Sequence, residues 1–305
     1  MLLATSTEFL LFRAVVLVSG LVLASYQDLK DREVSDGVWQ ALGLVGAAVG
    51  VVALWGNPLA VALWVLVSLW ALEHLFAWDT PLERISERLP GWIEVGVYVG
   101  VLAAIIVCAV EFGVGGSGVP IAIIGVAGAI LLARGLFEVG VLYGGADAKA
   151  LMIAGLLIPI DAAPLWSPPV ASALLAYYPY AITVLIDAAL FAIVVPIAIA
   201  VRNVSTHEFE FPRGFTGYTI PVDELPRRYV WIKDPMFSGN SDEDPEPQTT
   251  EEDRALRQRQ AEELTKKGVT RVWVTPQLPF ILWILAGTVA ALVAGNLLFD
   301  LISAL

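Results

Sequence analysis

Apolar and polar residues fall in blocks much longer than a helical turn or a strand. Crossing a bilayer takes roughly 20 apolar residues. Runs meeting that requirement lie near 8–27, 37–56, 59–78, 92–113, 118–139, 147–163, 177–201 and 279–301. The second and third are joined by Gly56-Asn57-Pro58, a tight turn that makes them a hairpin, and the sixth is short, ending at Pro159 or soon after. Between 202 and 277 the pattern changes. Phe209, Phe211, Phe215, Tyr218, Tyr229 and Trp231, broken by Pro and Gly, read as short strands and turns. Residues 238–250, rich in Ser, Asp, Glu and Pro, read as a disordered linker, and Glu251–Lys267 as a polar helix closed by Gly268. The expectation is an all-α polytopic membrane protein of about eight transmembrane helices with one cytoplasmic soluble insertion. Its parts are a transmembrane bundle (1–201), an acidic insertion (202–277) and a C-terminal transmembrane helix (278–305).

Composition agrees with this pattern. Of 305 residues 57% are hydrophobic and 16% charged, with mean hydropathy +0.74, which excludes an ordinary soluble domain. Acidic residues crowd into the insertion, and the net charge of -12 over the whole chain disfavours nucleic acid as a partner. One cysteine, Cys108, sits in an apolar run, so neither an internal disulfide nor a CxxC motif is available. No basic region precedes the first apolar run, which reads as a retained span.

Basic residues orient the spans. With the N-terminus outside, the cytoplasmic loops and their flanks hold Lys30, Arg32, Arg84, Arg88, Arg134, Lys149, Arg202 and every later basic residue. The opposite connections, 56–58, 114–117 and 164–176, hold none, and only Arg13 dissents. This places Asp28 and Asp147 at one membrane face, the first closing a span and the second opening one. A carboxylate beside hydrocarbon is costly and marks function more often than chance. Each also has a plain reading: Asp28 as a solvated loop charge, Asp147 as a helix cap favoured by the dipole. Gly144 and Gly145 remove side chains just before Asp147, which lets another backbone approach.

The stretch Asp28-Leu29-Lys30-Asp31-Arg32-Glu33-Val34-Ser35-Asp36 and the stretch Gly144-Gly145-Ala146-Asp147 with Lys149 resemble the two aspartate motifs of the GxGD membrane aspartyl peptidases. Within that group the likeness is to the archaeal prepilin and preflagellin (archaellin) peptidases of the type IV prepilin peptidase family. The run Arg271–Phe280 resembles the family's C-terminal region. Ala146 stands where the motif has a glycine, and four spans lie between the aspartates where a compact member has fewer. The resemblance implies a catalytic pair, Asp28 and Asp147, with Gly144, Gly145, Ala146 and Lys149 as its motif context.

Two carboxylates held close do not both ionise easily, so such a pair shares a proton and titrates as a unit. One would activate water against a scissile carbonyl while the other donates a proton. No cofactor or metal is called for, and the cysteine cluster of bacterial relatives is absent. The implied activity is cleavage of class III signal peptides at the cytoplasmic face of the cell membrane. The substrates would be prepilins or prearchaellins with a basic leader and a hydrophobic segment lying in lipid. Asp31, Glu33 and Asp36 are candidate contacts for the leader's basic residues, or else loop charges, with Asp36 or Ser35 capping the next helix. Two other classes remain open. One is a transporter or channel relaying protons or cations through Asp28, Asp147 and Asp187. The other is a structural membrane subunit docking partners through its acidic stretch.

Overall fold

The structure, a computed structural model, describes residues 7–76, 118–142, 144–160, 179–232 and 250–303, with isolated helical positions between 96 and 111. Much of the expected span 92–113, with Cys108, Tyr143, the connections 114–117 and 164–176, Arg84, Arg88 and nearly all of the linker 238–250, lies outside the described residues. The chain divides into two compact units. The first is Met1–Asp28, Val34–Phe191 and Phe280–Leu305; the second is Leu29–Glu33 and Ala192–Pro279.

The first unit is helical: α1 (Thr7–Asp31, up to Asp28), α2 (Asp36–Ala53), α3 (Pro58–Phe76), α4 (Gly118–Glu138), α5 (Gly145–Leu157), α6 (Tyr180–Ala192, up to Phe191), α9 (Phe280–Val293) and α10 (Leu297–Ser303). Among the described residues of the whole chain, five helical segments are long and apolar enough to cross a membrane: Glu8–Asp31, Asp36–Ala53, Pro58–Phe76, Ile121–Glu138 and Tyr180–Ser205. This is an all-α polytopic membrane architecture with a small sheet added in the second unit.

The α2–α3 hairpin follows from its turn residues. Gly56 takes φ +99, which a side chain disfavours, and the Asn57 side-chain oxygen accepts the Ala60 N–H at 3.1 Å as the cap of α3, with Pro58 at the first helical position. Across the hairpin Trp64 Nε1 donates to the Ala47 carbonyl at 3.0 Å, and a Cβ at Gly50 would lie 1.8 Å from the Trp64 ring.

At the centre of this unit lies α5, every residue of which from Asp147 to Leu157 is buried. A helix apolar on all sides belongs inside a bundle, and its small residues let neighbours come close. A Cβ at Gly155 would lie 2.4 Å from the Ala129 methyl of α4, and one at Gly125 would lie 2.3 Å from the Pro159 carbonyl. Proline also ends α5: Ile158, pushed out of helical geometry at φ -129 and ψ 84, precedes Pro159. At 13 residues α5 is about 20 Å long, shorter than the expected 147–163 span.

The expected 279–301 span is interrupted. Gly295 takes φ +88 and Asn296 caps a new helix by accepting the Phe299 N–H at 3.1 Å. The wholly buried Asp187 of α6 accepts the Leu297 N–H at 3.0 Å, so this carboxylate secures the start of α10. Nearby, the Tyr180 hydroxyl donates to the Thr288 carbonyl at 2.9 Å.

The second unit takes in the 202–277 stretch but begins earlier, at Ala192, inside an apolar run. Pro196 accounts for the early start. It lacks an N–H and crowds the carbonyl four residues back, so the helix is interrupted at Ile193 and resumes as α7 (Val194–Ser205). Short 3₁₀ turns, Arg213–Phe215 and Val222–Arg227, lead into and follow β1 (Tyr218–Pro221). Then come β2 (Val230–Ile232), α8 (Thr250–Lys266) and β3 (Arg271–Pro276). The sheet is antiparallel in the order β1-β3-β2, with Ile220 opposite Val272 and Trp231 opposite Thr275. Alternation along β3 turns Val272 and Val274 inward, where they meet Ala261 and Leu264 of α8. Gly268, at φ +76, closes α8.

A close backbone seam in the first unit involves Gly287 of α9, where a Cβ would lie 2.5 Å from the Val184 carbonyl and 2.6 Å from the Ala188 nitrogen, both backbone atoms of α6. We expect Gly287→Ala to destabilise the detergent-solubilised protein by about 1–3 kcal/mol in thermal unfolding. Gly128→Ala on α4, where no atom lies within 4 Å, is expected to be neutral or slightly stabilising.

Candidate functional site

Asp28 sits in the last turn of α1 and is half-buried. The chain then reverses, and the reversal is tied to the helix by the Gln27 side-chain oxygen, which accepts the Ser35 N–H at 3.0 Å. Ser35 precedes α2 without a side-chain cap bond, and Asp36 is the first helical residue.

Asp147 lies in the first turn of α5 and is 8% exposed. A carboxylate this deep needs donors, and backbone supplies them. The carboxylate accepts the N–H of Gly144, the residue that precedes the helix, reaching back across the first turn as the acidic member of a capping box does. Gly144 makes that reach possible, since a Cβ there would stand 2.9 Å from Asp147 Oδ2. A second donor is the N–H of Ile281, in the first turn of α9. The charge of Asp28 acts on the same carboxylate, so the two aspartates are electrostatic neighbours within the first unit although they lie far apart in sequence.

The other motif residues have definite positions. Gly145 opens α5. Ala146, at the place of the motif's glycine, is partly buried with its methyl packed against the apolar core, so the bundle accommodates the added carbon. Lys149 is buried, its side chain 5% exposed, and its Nζ donates to Asp36 Oδ1 at 2.6 Å. This pair joins the first turn of α5 to the first turn of α2, and it engages the Asp36 carboxylate that the sequence offered as a leader contact. Asp31 and Glu33 are exposed and lie on Leu29–Glu33, the segment that packs with the second unit. Asp31 pairs with its neighbour Lys30 at 3.7 Å.

Sequence reasoning missed Ile281, because a backbone N–H leaves no residue-type signature. The available signal was Pro279, which marks a helix start and therefore a set of N–H groups without intrahelical partners. Asp187, a relay candidate, accepts the Leu297 N–H and anchors the start of α10. Glu73 and His74 form a pair at 3.9 Å, with His74 Nδ1 also 3.0 Å from the Trp70 carbonyl; Arg134 and Glu138 pair at 2.6 Å one turn apart. Among the described residues no group of three or more His, Cys, Asp or Glu is arranged to hold a metal ion.

Breaking the Lys149–Asp36 pair separates two effects. We expect Asp36→Ala to cost more stability, roughly 3 kcal/mol, because it removes the ion-pair partner of a buried ammonium. Lys149→Met leaves a carboxylate that is 31% exposed and able to meet water, so the expected loss is smaller. Unfolding of the two single variants and the double variant in detergent gives the order and the coupling.

Residues 211–297 match the family model described as Archaeal Peptidase A24 C-terminus Type II. The matched stretch holds the whole sheet, α8 and α9, including Ile281, but neither Asp28 nor Asp147. No curated protein matches the chain.

Proposed function

From a match that supports the archaeal type IV prepilin/preflagellin peptidase family, we propose that this membrane protein is an aspartic endopeptidase with Asp28 and Asp147 as its catalytic pair. The family match supports prepilin-type peptidase function in general. The observation that carries the finer reading is the electrostatic proximity of the two carboxylates, one of them buried and held by backbone N–H groups from two helices.

In this reading a water molecule binds between the aspartates. One carboxylate takes a proton from the water as it attacks the scissile carbonyl; the other, protonated, hydrogen-bonds to that carbonyl and then supplies the proton for the leaving amine. The N–H groups of Gly144 and Ile281 orient Asp147 so that little rearrangement is needed during the reaction. The substrate class is a prepilin or prearchaellin, its basic leader in the cytoplasm and its hydrophobic segment in lipid. Asp31 and Glu33, exposed at the end of α1, are available to the leader's Lys and Arg, whereas Asp36 serves Lys149. The proposed setting is the cell membrane, crossed several times, with the N-terminus outside and the pair at the cytoplasmic face. Its partners are then the precursors and membrane lipid, with no part for nucleic acid.

The test is co-expression of a tagged prepilin with wild type, Asp28→Asn and Asp147→Asn, followed by electrophoresis of the precursor. Wild type should release the leader, and each variant, still inserted in the membrane, should lose cleavage by a factor on the order of 10³ or more. Processing that persists in either variant sinks the role of that aspartate.

A further inference from the structure

The residues that directly follow Asp28 are grouped with a different unit from Asp28 itself. Leu29–Glu33 belongs to the second unit, the one built around the three-stranded sheet. Arg32 takes φ 57, a left-handed conformation that a non-glycine residue adopts only when something holds it. What holds it is visible: the Arg32 guanidinium lies over the Tyr229 ring, 4.7 Å from its centroid. The guanidinium of Arg257 lies 5.2 Å from the centroid of the same ring. Both distances are within the range of cation–π attraction.

The stack is built on fixed parts. Tyr229 adjoins β2, and its carbonyl accepts the Gln277 N–H at 3.0 Å, which extends the pairing of β2 with β3. Arg257 is 4% exposed on α8 and is ion-paired with Asp253 one turn earlier. An aromatic ring anchored in a sheet and an arginine buried on a helix therefore receive the side chain of a loop residue four positions beyond a candidate catalytic aspartate.

We infer that Arg32, Tyr229 and Arg257 are positioning residues: their stack fixes the end of α1 and, through the chain, the placement of Asp28. The inference rests on the peptidase reading of Asp28, and its test separates the two.

The full-length protein is reconstituted in lipid nanodiscs as wild type, Tyr229→Leu, Tyr229→Phe and Arg32→Gln. Two quantities are read: kcat and KM for a tagged prepilin, and the rate of tryptic cutting after Lys30, a site independent of catalysis. Tyr229→Leu and Arg32→Gln should lower kcat on the order of tenfold or more, change KM by less than about twofold, and speed the tryptic cut. Tyr229→Phe keeps the ring and should stay within about twofold of wild type in both. Because Arg32 lies outside the sheet's core, Arg32→Gln tests the stack even if Tyr229→Leu fails to fold. Unchanged kcat and protection in Arg32→Gln, or a Phe variant as impaired as the Leu variant, overturns the inference. Faster cutting after Lys30 in a protein whose wild type leaves prepilin intact would sink the peptidase reading while the hold on the loop stands.

Discussion

A carboxylate withdrawn from water must be given donors, and the arrangement of the first unit around Asp147 answers that requirement. Apolar side chains cannot meet it, and a buried Lys would bring a second charge that itself needs partners. Backbone N–H groups at helix starts can, because they are polar, fixed and do not titrate near neutral pH. Gly144 and Ile281 provide them from the starts of α5 and α9. Lys149, two residues along α5, donates to Asp36 at the start of α2.

This requirement constrains the rest of the bundle. The start of α9 must reach Asp147, which asks for close packing of α9 on its neighbours, and Gly287 against α6 provides one such approach. The small residues of α5, with Gly125 and Ala129 of α4, do the same on the other side. Asp187 and Asn296 then secure the helix that follows. Asp147 and Asp187 thus share one device, a buried carboxylate held by N–H groups at a helix start, and Asp147 also feels the charge of Asp28.

Much of the fold was legible because the bilayer demands long apolar segments, which composition alone reveals. The hairpin turn was legible from Gly56, Asn57 and Pro58, and the end of α8 from Gly268, since each has a local mechanical reason. The two aspartates stood out because charge beside hydrocarbon is rare. What could not be read was pairing over long sequence distances: Lys149 with Asp36, Asp187 with Leu297, Asp147 with Ile281. No local period encodes those. Nor did hydropathy show that 279–301 is two helices, since a break secured by buried polar groups leaves the average unchanged. Pro196 was in plain view, but a proline inside a strongly apolar run does not say whether the helix bends or stops.

The hydrogen bond from Trp64 to the Ala47 carbonyl bears on how the chain is assembled. An indole N–H in hydrocarbon without an acceptor is costly. The α2–α3 hairpin supplies its own acceptor, and Gly50 clears the space for the ring. These two helices therefore meet this requirement between themselves, before α5 is synthesised, and offer that central helix a surface on which to settle.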